Sequence, residues 1–112
     1  MMRVIVNLSV AGVHRWANCN IENVEYLKDY HRHIFHICCK KKVNHSDRDT
    51  EIISLKEEIL EYLNAKGHYK NSATINFDGM SCEMIAVELT EKFNLSYCSV
   101  LEDNENGAEV YK

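Results

Sequence analysis

Apolar and polar residues alternate at the start of the chain. Four even positions of the segment from Arg3 to Val10 are apolar: Val4, Val6, Leu8 and Val10. Asn7 and Ser9 lie between them. A period of two is typical of a β-strand with one buried face. The pattern therefore predicts a first strand that ends near His14.

Three further segments have the composition of strands. The segment His33–Val43 begins with a run of β-formers and predicts a second strand, which includes His31 on the same face. Near the end of the chain, Leu95–Leu101 and Ala108–Tyr111 predict two closing strands. Turn-forming residues separate these two strands: Asp103, Asn104, Asn106 and Gly107.

The middle of the chain changes to a helical period. Apolar groups recur at helical spacing over about Thr50–Lys66, and three residues are N-cap candidates for this helix: Ser46, Asp47 and Asp49. A second helix is predicted from Ser81, which can cap it, to about Phe93. The segment 24–30 is interpreted as a short turn or an approach to the second strand.

The element order ββααββ predicts an α+β fold, with a four-stranded antiparallel sheet and two helices on one face. The chain of 112 residues has no proline, no repeat and no linker-like stretch, which indicates a single domain over 1–112. The open sheet edges and the second, partly apolar face would be covered by self-association. We therefore expect a homo-oligomer.

Charge and composition exclude some classes of partner. The net charge of −4 argues against nucleic acid, which is bound through clustered lysine and arginine. No stretch approaches the roughly 20 apolar residues that cross a bilayer, so no membrane partner is expected. Five cysteines cannot all pair, and Cys38 and Cys39 are adjacent, which favours free thiols in a reducing, cytoplasmic location.

Three histidines form the sharpest chemical pattern. His31 and His33 lie two residues apart on one strand, so they share a face, and His14 at the end of the first strand can join them. Three protein ligands with an open position are typical of a reactive zinc site. Spacing alone is weak evidence for this, because two such histidines also occur as a hydrogen-bonded pair that binds no metal.

Four segments carry a resemblance to a known family. They are Val10–Trp16, His31–Phe35, the helix start Ser81–Glu83, and Glu102 near the end. In order and spacing they resemble the 6-pyruvoyl-tetrahydropterin synthase and 6-carboxytetrahydropterin synthase family, over almost the whole chain. The resemblance extends to short phage proteins. It implies the T-fold, whose unit is two strands, two helices and two strands, and whose subunits form a barrel with sites at their interfaces.

The resemblance implies roles for particular residues. His14, His31 and His33 match the three zinc ligands, and Glu102 matches the glutamate that anchors the pterin ring. A carboxylate suits that role because it accepts two parallel N–H donors from an amino-pyrimidine edge, although Glu102 is also readable as a solvated turn acid. Glu83 matches the glutamate of the helix-opening motif, and it is explained equally well as a partner of the helix dipole.

The sequence departs from the family at its proton-transfer groups. Leu27 stands where the family has its catalytic cysteine, and a hydrocarbon side chain transfers no proton. Gly67 and His68 align with an Asp–His pair, so only the histidine remains. Cys19 is a second candidate catalytic residue beside His68, but free cysteines are more often buried small hydrophobes.

Three hypotheses of function follow. The first is an oligomeric protein that binds a pterin-like or purine-nucleotide-like small molecule at a zinc site and has lost part of its catalytic machinery. Such a protein can sequester a nucleotide-derived signal. The second is a zinc-dependent lyase or synthase of the 6-pyruvoyl- or 6-carboxytetrahydropterin type, in which His68, Cys19 or a metal-bound water replaces the lost groups. The third is an assembly unit whose histidines have no chemical role.

Overall fold

The structure, a computed structural model, describes residues 1–112 and contains two helices and five strands. The strands are β1 (Met2–His14), β2 (His31–Val43), β3 (Ile75–Asn76), β4 (Tyr97–Glu102) and β5 (Asn106–Tyr111). The helices are α1 (Ile52–Asn64) and α2 (Cys82–Phe93), and a short 3-10 helix spans Glu25–Lys28. The fold class is therefore α+β, as the sequence predicts.

The five strands form one mixed sheet in the order β3-β1-β2-β4-β5. The four long strands are antiparallel neighbours, whereas β3 runs parallel to β1 beside Gly12 and Val13. The prediction of four antiparallel strands was wrong on this point. Two residues are too few to produce an alternating pattern, so β3 is recognisable only from its pairing and from the buried side chain of Ile75.

The register of β1 and β2 places their buried side chains on one face. Val6 is paired with Cys39 and Leu8 with Ile37, and all four are buried. Both strands extend over 13 residues, so this hairpin forms the longest part of the sheet. The alternation that predicts the first strand also determines this face, because successive side chains of a strand point to opposite sides.

Both helices cover the same face of the sheet. Helix α1 contributes Leu55, Ile59 and Leu63 to the core, and α2 contributes Ile85 and Leu89. The core is one cluster of 17 buried residues shared by the two helices and the sheet. Neither helix has the length and apolar character that a membrane-spanning helix needs.

The two helices begin with different caps. The side chain of Ser81 accepts a hydrogen bond from the backbone N–H of Met84, so the predicted cap of α2 is confirmed. The cap of α1 was predicted wrongly, because Glu51 accepts from the N–H groups of Ile53 and Ser54. Asp49, one of the predicted candidates, instead accepts from a backbone N–H in the preceding turn.

Gly12 leaves room for an aromatic contact at one end of the core. A Cβ at this position would lie 2.5 Å from a ring atom of Phe77 and 2.9 Å from a ring atom of Phe35. Both phenylalanines are fully buried, and their ring centroids lie 4.9 Å apart. Because Gly12 has no side chain, these two rings can pack directly against its backbone.

Candidate metal centre

Three histidines continue the core-facing rows of the first two strands beyond the core. His14 is paired with His31 across β1 and β2, and His33 is paired with Gly12. The ring centroid of His14 lies 4.6 Å from that of His31 and 5.4 Å from that of His33. One ligand atom from each histidine lies within 4.8 Å of the other two. The three imidazoles that the sequence predicts to meet do meet on one face.

Backbone carbonyls orient two of these rings. The Nδ1 atom of His14 lies 2.8 Å from the carbonyl oxygen of Met80, and that of His31 lies 2.8 Å from the carbonyl oxygen of Asp29. A carbonyl only accepts, so in both rings Nδ1 carries the hydrogen that it donates. In a neutral imidazole the lone pair is then on Nε2, which is the atom available to a metal ion.

A carboxylate orients the third ring. The Nδ1 atom of His33 donates to Oδ2 of Asp103 at 2.7 Å, and Oδ1 of Asp103 accepts from the backbone N–H of Ile34 at 2.9 Å. These hydrogen bonds, first that from His33, lower the pKa of Asp103. Carboxylate–histidine pairs of this kind fix the ring and raise its basicity as a metal ligand.

His14 is the most buried of the three ligands, with 7% of its surface exposed. Burial lowers its pKa, against the opposing effect of its hydrogen bond to Met80. Its Nε2 atom is buried and has no hydrogen-bond partner. An orphaned buried nitrogen is rare in folded proteins and calls for a ligand.

Glu102 lies next to the histidines. Its Oε2 atom is 2.9 Å from Nε2 of His14, and its Oε1 atom is 3.7 Å from Nε2 of His33. The thiol of Cys82 also lies beside this carboxylate. Burial and then the charge of Glu102 raise the pKa of Cys82 to about 12, so the thiol stays protonated at neutral pH.

A cavity of about 510 Å³ opens beside the histidines. This volume is within the range of about 300–1,000 Å³ that is usual for small-molecule sites. The polar and charged residues that line it include His14, His31, Arg15, Ser81, Glu83, Glu102 and Asn106. The apolar ones include Trp16, Leu27, Met80 and Met84. The site therefore joins a polar end, which contains the imidazoles, to an apolar wall.

The loop between β1 and β2 forms one wall of this cavity. The backbone N–H of Trp16 donates to the carbonyl of Leu27 at 2.7 Å, which draws the two ends of the loop together. Leu27 is one of the residues that line the cavity. The position that matches the family's cysteine is thus part of the site and presents a hydrocarbon surface.

The two candidate catalytic residues lie elsewhere. Cys19 is 1% exposed, and its thiol donates to the carbonyl of Val24 within the same loop. The ring of His68 is exposed and lies 3.0 Å from the amide oxygen of Asn64. Neither residue lines the cavity. The structure therefore brings together the histidines, Glu102 and Glu83, and it does not bring Cys19 or His68 to them.

The residues around the three imidazoles fit a divalent metal ion. The set offers three nitrogen ligands whose outer nitrogens are already hydrogen-bonded, and one of the facing nitrogens is orphaned. Imidazole ligands suit zinc and the later first-row metals. The three histidines are therefore a candidate metal site.

Sequence reasoning missed the groups that support the histidines. Asp103 was interpreted only as a turn residue, and the carbonyl of Met80 has no sequence signal because any residue supplies one. Cys82 was named as part of a motif without a role. One signal was available: Asp103 directly follows Glu102, and a carboxylate that follows a strand ending at the site lies within reach of it.

Comparison with known proteins adds no family to this geometry. No protein-family model matches the sequence, and no curated protein matches it. The resemblance to the tetrahydropterin synthases therefore depends on the motifs and their spacing.

Proposed function

We propose that the protein uses His14, His31 and His33 to hold a zinc ion, and that it binds a flat, nitrogen-rich small molecule in the cavity beside the metal. The observation that carries this proposal is the orientation of the imidazoles. All three donate Nδ1–H to an oxygen, and ligand atoms of the three rings lie within 4.8 Å of one another. Surface histidines without a role have no reason to share this arrangement.

The residues that line the cavity support a proposal for the ligand class. Glu102 supplies an acceptor for paired N–H donors, as found on the amino-pyrimidine edge of a pterin or a guanine. Trp16, Met80 and Met84 supply apolar and polarisable surface against which a planar ring can pack. We therefore propose a pterin-like or purine-nucleotide-like ligand, with Glu102 as its anchor and Glu83 as a further polar contact.

The proposal includes membership of the T-fold group. The two helices on one face and the strand order are compatible with that fold, and the additional strand β3 is a two-residue pairing at its edge. The similarity to short phage proteins supports a narrower proposal, in which the ligand is a nucleotide-derived signal or metabolite that the protein sequesters.

The sheet has two edges that favour self-association. Strand β5 has no outer neighbour, and β1 is covered only beside Gly12 and Val13. Unpaired edges are templates for pairing with another chain. We propose a homo-oligomer, to be tested by native mass spectrometry of the metal-loaded protein; a monomer at micromolar concentration would contradict this part of the proposal.

The five cysteines support a reducing location. All are free thiols in the structure, and four of them are buried. Because secreted domains usually use cysteines as disulfides, we propose that the protein acts in the cytoplasm. Localisation of a tagged protein in the host cell tests this.

Elemental analysis tests the metal site directly. Protein purified without chelators should contain one zinc ion per chain, and the His31→Ala variant should contain none. His45→Ala is a matched control, because His45 is an exposed histidine in the turn after β2. Equal metal content in wild type and His31→Ala would refute the ligand assignment.

Calorimetry tests the ligand class. Zinc-loaded protein should bind neopterin or a guanine nucleotide, and Glu102→Gln should weaken this binding because an amide accepts fewer N–H donors than a carboxylate. Titration with a cyclic purine dinucleotide tests the signal-binding version. Absence of binding to all three probes by metal-loaded wild type would refute the binding function.

A lyase of the 6-pyruvoyl- or 6-carboxytetrahydropterin synthase type is the second candidate. It is favoured by the count of three protein ligands, which is the usual arrangement of catalytic zinc. It is disfavoured by Leu27 in the cavity wall, and by Cys19 and His68 not being among the residues that line the cavity. Incubation with dihydroneopterin triphosphate, followed by ultraviolet absorbance, separates the two functions, since sustained turnover excludes a pure binder.

A further inference from the structure

The carboxylate of Glu102 faces two of the three imidazoles at close range. Glu102 is paired with Phe35 across β2 and β4, so its side chain continues the core-facing row of β4 after Val100. Its two oxygens approach different rings, one at 2.9 Å from His14 and the other at 3.7 Å from His33. The carboxylate therefore points at the histidines in addition to lining the cavity.

The contact with His14 is not a hydrogen bond. Nδ1 of His14 carries the hydrogen donated to Met80, so Nε2 presents a lone pair in the neutral ring. Nε2 has no hydrogen-bond partner, although Oε2 of Glu102 lies 2.9 Å away. Two lone pairs at this distance repel each other. A cation bound between them would remove this repulsion, because both atoms would be its ligands.

The distances agree with those between ligands of one ion. Nitrogen and oxygen ligands at about 2.1 Å from a metal are roughly 3.0 Å apart at a right angle and roughly 3.4 Å apart at the tetrahedral angle. The two contacts of Glu102, at 2.9 Å and 3.7 Å, bracket these values. Both oxygens can thus reach an ion that His14 and His33 hold.

We propose that Glu102 is a fourth protein ligand of the metal ion, so that the ligand-free centre has three imidazoles and one carboxylate. This inference rests on the proposed metal function and deepens it, because it gives Glu102 a second role besides anchoring a ring. A carboxylate that contacts both the metal and the ring edge couples metal coordination to ring binding. A ring that binds to Glu102 would compete with the metal for the same carboxylate.

Metal binding by defined variants tests this inference. Zinc affinity is measured by competition with a chromophoric chelator, and the coordination of Co²⁺ is followed by visible absorption. Glu102→Gln should bind zinc about 10–100-fold more weakly than wild type, and its Co²⁺ spectrum should change in band position and intensity. Glu109→Gln is the matched control, because Glu109 lies on β5 of the same hairpin, is exposed, and should leave both readouts unchanged.

The outcomes separate this inference from the metal function itself. Wild-type affinity together with a wild-type Co²⁺ spectrum in Glu102→Gln overturns the fourth ligand and leaves the three-histidine site intact. If instead His31→Ala retains wild-type zinc affinity, the metal function fails. Glu102→Asp covers the case in which Glu102→Gln does not fold: it withdraws the carboxylate by about 1.5 Å, so an unchanged affinity and spectrum there also overturns the inference.

Discussion

The middle of the helix-covered sheet face and the end that carries the histidines are built from the same strands but have opposite character. In the middle of the face, side chains such as Ile37 and Val100 are fully enclosed by α1 and α2. Further along the same rows, His14, His33 and Glu102 replace the apolar residues, and a cavity lies over them. One alternating pattern therefore produces both the core and the candidate site.

This difference shows what a buried row requires when its residues become polar. Apolar side chains need only contacts, whereas each buried imidazole must have partners for two nitrogens. In the histidine cluster every Nδ1 has an oxygen partner. One nitrogen of each ring lies within 4.8 Å of those of the other two rings, which is an arrangement for binding a metal and adds no stability by itself.

The largest expected effect separates the core from the site. Ile37→Ala removes a buried side chain in the middle of the sheet and should lower the free energy of unfolding by about 2–5 kcal/mol. Zinc affinity of the folded variant should stay at the wild-type value, since Ile37 touches no ligand. Urea unfolding and a chelator competition measure the two quantities. A loss of zinc affinity with little loss of stability would contradict the expectation that Ile37 acts on the core and not on the metal site.

Metal binding at the three histidines should raise the free energy of unfolding of the protein. Free zinc at 100 times its dissociation constant should raise the free energy of unfolding by about 2.7 kcal/mol. The same zinc concentration should leave His31→Ala unaffected. Thermal unfolding with zinc and with chelator measures this, and an equal shift in both proteins would show that the stabilisation comes from elsewhere.

Gly12 lies at the boundary and should affect both ends. A Cβ at this position meets Phe77 and Phe35, so Gly12→Ala should cost about 1–3 kcal/mol of stability through overpacking. The ring of Phe35 lies beside His14 and His33, so a shift of this ring should lower zinc affinity as well. Gly79→Ala is the control, because its nearest contact would be at 4.0 Å. Equal behaviour of the two variants would refute the boundary role.

Asp103 should matter to the metal more than to the fold. Asp103→Asn keeps an oxygen that accepts from His33 but removes the charge, so zinc affinity should fall by about tenfold, the lower end of such effects. Asp103→Glu restores the charge and tests recovery. A wild-type affinity in Asp103→Asn would mean that the charge of Asp103 adds nothing to metal binding.

The smallest effect is expected at the helix terminus remote from the histidines. Backbone N–H groups of Ile53 and then Ser54 lower the pKa of Glu51 from its ordinary value of 4.5. A lowered pKa stabilises the fold above that value, and the contribution disappears as the pH falls through the pKa in the folded state. Urea unfolding should therefore show wild type slightly more stable than Glu51→Gln at pH 7 and equal to it in acid. A difference that grows in acid would contradict the cap.

Sequence patterns predict the elements whose side chains repeat. The even row of β1 and the helical spacing in α1 are long enough to define their elements, and Ser81 begins α2 by a common capping rule. Strand β3 was missed because Ile75–Asn76 has no repeat. The cap of α1 was misplaced because Glu51 is not a usual capping residue, whereas the more usual candidate Asp49 bonds within the turn.

Of the candidate site, the sequence predicts the three histidines but not the groups that orient them. Two histidines at i and i+2 share a face by geometry, and the third is joined to them by the register of β1 and β2. The partners of the Nδ1 atoms of His14 and His33 depend on tertiary structure, whereas that of His31 is the carbonyl of Asp29, two residues earlier in the chain. The carbonyl of Met80 is 66 residues from His14 in the chain, and the side chain of Asp103 reaches His33 from a turn with a positive φ of 54°.

The pairing of His14 with His31 has a mechanical consequence. These two residues are the last of β1 and the first of β2, so they stand at the base of the connection over residues 15–30. An ion held by both would act as a clasp across that base and would shorten the free span of the connection. Because Trp16 and Leu27 belong to this connection, the clasp would also set the shape of the cavity wall.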